Sequence, residues 1–133
     1  MKSIMYHYVR GEEDRPPDYY YLDVSDFRKQ LDFFEVQFGF VSREEFLSFV
    51  RGGAENSSTP SGVILTFDDG FKDHYDVVFP ELQIRDLWGI FYVPTLPFVT
   101  GDMLDVHRTQ VLLGEHSPKK VLKLTRDVID EKM

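Results

Sequence analysis

Cysteine is absent from the 133-residue chain, which removes disulfides, cysteine zinc sites and thiol nucleophiles together and says nothing about compartment. Long apolar runs are missing as well. No stretch approaches the ~20 apolar residues of a membrane span. Residues 1–9 (MKSIMYHYV) carry one Lys but no apolar run of signal-peptide length, so the expected location is the cytoplasm. Positive charge is scarce: 15 Lys and Arg against 23 Asp and Glu leave a net charge of −8. Such a chain repels phosphate backbones and anionic headgroups, which argues against nucleic acid and membrane surfaces as partners. Neither a Gly-x-Ser-x-Gly elbow nor a glycine-rich phosphate loop is present, so triad hydrolases and phosphate-cradling enzymes drop out.

What is present suits one soluble domain over residues 1–133, with 42% apolar and 29% charged residues and enough length to bury a modest core. Residues 3–9 are aromatic and β-branched enough for a first strand. Residues 10–21, with Gly, two Pro and a cluster of charges, form a loop. Val24, Phe27, Leu31, Phe34 and Phe38 recur at helical spacing, with Ser25 as the expected cap and Gly39 as the stop. Ser42 and Glu45 match a capping box opening a second helix, and residues 52–61 (GGAENSSTPS) read as a linker.

Residues 62–67 (GVILTF) are a continuous apolar run, as expected for a strand buried on both faces of a parallel sheet. Residues 71–87 are mixed helical sequence that Pro80 should break or kink. Residues 88–93 (WGIFYV) are the next strand. Helices are expected over residues 102–113 and 117–132, the last starting at Ser117-Pro118. Strands alternating with helices predict an α/β fold with a parallel sheet, but three strands are too few to close a barrel.

The strongest local signal is Thr66-Phe67-Asp68-Asp69-Gly70, two adjacent carboxylates at a strand's end followed by a residue that lets the chain turn. In α/β sheets ligands bind at the carboxyl ends of strands. Neighbouring carboxylates repel, and a divalent metal relieves the repulsion by taking one as a ligand while the other acts as base. The alternative is an Asp-Asp-Gly turn in which one Asp caps the following helix.

Residues 63–71 (VILTFDDGF) resemble the first motif of NodB-type polysaccharide deacetylases, also called carbohydrate esterase family 4. Residues 5–9 (MYHYV), 79–82 (FPEL) and 89–95 (GIFYVPT) resemble the family's first strand, helix and next strand in order and spacing, so the likeness covers roughly residues 1–113. It implies a distorted (β/α) barrel, here partial, and hydrolysis of N-acetyl groups on amino sugars of a glycan. Asp68 would be the catalytic base and Asp69 a ligand of a divalent metal, most often zinc. His107 matches the first histidine of the family's second motif. Val111 stands where a second histidine belongs and cannot bind metal, and Gln110 offers only a weak oxygen donor.

His7 could line the cleft or be a hydrogen-bonded core residue. His74, within a turn of the Asp pair, could supply a further ligand or lie on the surface of a helix. The family's Arg-Pro-Tyr-type segment and late general-acid histidine have no counterpart here, so the chain is expected to be incomplete at its C-terminus. The exposed edge of an unfinished barrel leads to an expectation of self-association or of a covering partner. A non-catalytic sugar-binding or scaffold relative is the competing reading. Phosphoryl chemistry is a third class, but the Asp-x-Asp and receiver-domain spacings it needs are not met.

Overall fold

The computed structural model describes residues 1–11, 20–52 and 58–131. Most of the expected loop over residues 10–21 and half of the linker over residues 52–61 therefore lie outside the described residues. The chain divides into two units. The first holds Met1–Gly11 and Tyr21–Pro94; the second takes in Thr95 onward.

In the first unit, β1 (Lys2–Tyr6), β4 (Val63–Phe67) and β5 (Gly89–Phe91) form a parallel sheet in the order β1-β4-β5. Every residue of the central strand β4 is buried, Thr66 included, as expected for a largely apolar strand covered on both faces. β1 runs in register with it from Lys2↔Val63 to Tyr6↔Phe67. A second, minimal parallel pair, β2 (Val9–Arg10) and β3 (Leu22–Asp23), was not expected from sequence, and it takes Arg10 out of the loop assigned there.

Helix α1 (Val24–Gln37) buries Phe27 and Leu31 against the sheet. Its cap is Asp23, whose carboxylate accepts the Ser25 N–H at 2.7 Å, rather than Ser25 itself. Gly39, at φ 66°, ends the helix as expected, and its carbonyl accepts the Val63 N–H at 2.9 Å, so the helix stop also anchors the start of β4. At α2 (Arg43–Gly52) the capping box is complete. Ser42 Oγ accepts the Glu45 N–H at 3.2 Å, and Glu45 Oε2 accepts the Ser42 N–H at 2.9 Å.

The expected helix over residues 71–87 is two elements: a π turn, His74–Val78, and α3 (Phe79–Ile84). Pro80 sits in the first turn of α3. It has no N–H and its ring crowds the carbonyl one turn back, so the preceding turn widens. The Phe79 N–H accordingly reaches back five residues to the His74 carbonyl.

The second unit holds α4 (Leu96–Thr100), which the sequence did not announce, with α5 (Asp105–Glu115) and α6 (Pro118–Asp130). α5 and α6 line an apolar groove with Leu112, Val121, Leu124 and Val128. No described helix is long and apolar enough to cross a membrane.

Candidate functional site

The site grows from the register of two neighbouring strands. Since Tyr6 pairs with Phe67 in parallel, the residues that follow, His7 and Asp68, emerge at the same end of the sheet. The Asp68 N–H donates to the Tyr6 carbonyl at 2.9 Å, and the Tyr92 N–H donates to the Phe67 carbonyl at 2.8 Å. The base of the motif is thus tied on both sides. Phe67 is fully buried, its ring stacked between Tyr6 at 5.6 Å and Phe91 at 4.8 Å. Gly89 makes that stacking possible, since a Cβ there would lie 2.7 Å from the Phe67 ring. Burial pushes the Tyr6 phenol up to about 12, and its hydroxyl donates to Gln30 Oε1 at 2.8 Å.

β4 stops because Asp69 and Gly70 both take positive φ, 77° and 61°. Two such residues in succession are the pattern of a type I′ turn, for which Asp-Gly is a favoured pair. Gly70 is held to glycine twice, by its φ and by Val93, whose Cγ1 would lie 2.9 Å from an added Cβ. Asp69 has no such freedom. A side chain in the left-handed region costs on the order of 1 kcal/mol, tolerated where the surroundings impose it, and such residues cluster at functional sites.

The turn directs the Asp69 carboxylate toward β1, with Oδ2 3.6 Å from His7 Nε2. The Asp69 side chain is 21% exposed and that of His7 40%, so both reach solvent. Asp68 Oδ1 is buried with no hydrogen-bond partner among the described residues. A buried carboxylate oxygen with no donor against it among the described residues is costly to keep, and it is also what a general base requires. Beside the turn, Gly70, Phe71, His74, Phe79, Phe91 and Val93 line an apolar cleft of about 250 Å³.

His74 is not on the surface. It is 3% exposed, and its Nε2 lies 2.6 Å from the His7 carbonyl oxygen. Burial holds its pKa below the ordinary histidine value, against the opposing pull of that hydrogen bond and of Asp73 and Asp69. His107 lies on α5 of the second unit, half-buried, with Val111 one turn further on. His7, Asp68 and Asp69 are therefore brought together, and His74 joins them through the His7 backbone.

Sequence reasoning named His7 without seeing its partner. The pairing depends on strand register, for which the sequence carried no signal. A catalytic zinc takes three protein ligands. Among the described residues no three His, Asp or Glu side chains are grouped to hold one ion, so Asp69 and His7 offer two donors and do not by themselves complete such a centre.

The chain matches no protein-family model and no curated relative. Among solved structures it is similar to IcaB from Ammonifex degensii, at 29% identity and a TM-score of 0.53 over 69% of this chain and 37% of that one. It is also similar to a de-N-acetylase from Aggregatibacter actinomycetemcomitans, at 19% identity and a TM-score of 0.58 over 74% of this chain and 39% of that one. The fold is thus of the deacetylase type, mixed α/β with parallel strands. The chain spans less than two fifths of the length of either structure.

Proposed function

We propose that the ends of β1 and β4 carry the carboxylate part of a hydrolytic site that removes N-acetyl groups from amino sugars of a polysaccharide or its precursor. The observation that supports it most is the Asp68-Asp69 turn: one buried carboxylate oxygen with no hydrogen-bond partner among the described residues beside a second carboxylate held in a left-handed backbone, within a deacetylase-type fold. In this reading Asp68 takes a proton from water as the water oxygen attacks the acetamide carbonyl carbon. The C–N bond then breaks, the amine nitrogen gains a proton and acetate departs. The apolar cleft beside Gly70 gives the acetyl group a dry wall.

The cofactor that goes with this reading is a divalent metal, zinc before others. Asp69 and His107 are the ligands that the family resemblance names. The His7 ring, 3.6 Å from the Asp69 carboxylate, supports a share for His7. The test is zinc calorimetry on the intact chain and on Asp69→Asn, His7→Ala and His107→Ala, followed by acetate release from N-acetylglucosamine oligomers. One site per chain, lost in Asp69→Asn, is the expected result. Binding that survives the substitution would remove Asp69 from the site.

A second reading, a sugar-binding or scaffold module without catalysis, is favoured by the donor count of two and by Val111 in the place of a histidine. It predicts glycan binding with no acetate released. A further polypeptide, a second copy or another partner, is proposed to cover the free edges of the sheet.

A further inference from the structure

His74 is a buried histidine that the proposed chemistry does not use, and its surroundings give it a different task. Among the described residues its polar contact is the His7 carbonyl oxygen, 2.6 Å from Nε2. A carbonyl oxygen can only accept, so the proton sits on Nε2. Nδ1 is buried with no hydrogen-bond partner among the described residues, and a second proton there would be a donor with nothing to meet. The ring is therefore the neutral Nε2–H tautomer. The rings of Phe67, Phe71 and Phe91, at 5.6, 5.5 and 6.0 Å, enclose it.

The accepting carbonyl belongs to the first residue beyond β1, where the ladder to β4 has ended. Two more ties join the same segments. The Tyr8 and Phe71 rings lie 4.5 Å apart, and Arg10 is paired with Asp73 at 2.5 Å. Residues 7–10 are thus clamped onto residues 71–74 at three points, and the π turn opens with the residue that makes the innermost one. We propose that His74 is a positioning residue: by donating Nε2–H to the His7 carbonyl it fixes the backbone from which the His7 imidazole reaches Asp69. The consequence for catalysis rests on the deacetylase reading; the positioning itself does not.

The experiment compares the intact wild-type chain with His74→Gln, whose amide can donate to the same carbonyl, and His74→Leu, which fills the space and donates nothing. Nitrogen-detected NMR of the wild type is expected to show Nε2 protonated and Nδ1 bare on His74. The His7 ring is expected to give one sharp set of resonances in wild type and His74→Gln, and broadened or doubled ones in His74→Leu. With zinc added, kcat for acetate release from N-acetylglucosamine oligomers should fall about tenfold or more in His74→Leu, with KM within about twofold, and His74→Gln should recover most of it.

A His7 signal unchanged in His74→Leu overturns the proposal, as does equal impairment of the two variants. If the wild type releases no acetate, the deacetylase reading fails and the His7 resonances alone decide the positioning role. If His74→Leu does not fold, the wild-type tautomer decides, and a proton on Nδ1 overturns the proposal.

Discussion

Asp69 and His74 are the two residues at which local physics and the proposed function pull apart. At φ 77° Asp69 holds a conformation that glycine would adopt without strain. Asp69→Gly is therefore expected to be about as stable as wild type or more so, by up to about 1 kcal/mol. Asp69→Ala, which keeps the strain and loses the local hydrogen bonding of Asp, should be less stable than either. Urea midpoints for the three chains test that order, and a destabilised Asp69→Gly would mean that the carboxylate itself holds the turn together. His74 makes a prediction in pH. Its folded pKa lies below the ordinary 6.5, so as pH falls the unfolded chain takes up the proton first. The stability His74 contributes is present above about 6.5 and is lost as pH falls through that value toward the folded pKa. Urea melts between about pH 7.5 and about pH 5 should show this loss, and His74→Gln should flatten it.

Among the elements, those set by neighbours in sequence were legible and those set by distant contacts were not. The capping box at Ser42 and Glu45 is written in four consecutive residues and forms as read; Ser42→Ala should cost about 1 kcal/mol, measurable by thermal melts. β4 was legible because burial on both faces favours apolar side chains, and four of its five residues are apolar. The cap of α1 was misplaced by two residues because Asp23 and Ser25 are both good capping types and only the helix geometry chooses. The β2–β3 pair is two residues long on each side, too short to leave a pattern. Pro80 announced a break, but a proline can kink, end or widen a helix, and the packing of His74 and Val78 into the core decides for widening. A surface placement of His74 followed from treating residues 71–87 as one regular helix, and the π turn is what rotates it inward.

For the molecule, the carboxylate pair of the candidate site could be read from one motif, whereas its pairing with His7 required knowing which strand lies beside β4. The sheet of the first unit leaves β1 and β5 each with a single strand neighbour among the described residues, and Met5, Tyr75 and Tyr92 are exposed on that unit. Open edges with apolar side chains are templates for further pairing, so static light scattering is expected to report a mass above that of one chain, rising with concentration. A constant mass of one chain would show that the edges need no cover. The β1–β4 pairing has one more consequence. It joins segments about sixty residues apart, from Lys2↔Val63 onward, whereas β4 and β5 are joined by a short connection through α3. Closing the longer loop costs more chain entropy before any contact rewards it. The strand carrying His7 should therefore dock late during folding, so that the His7–Asp69 pair is among the last features to assemble and among the first to dissolve.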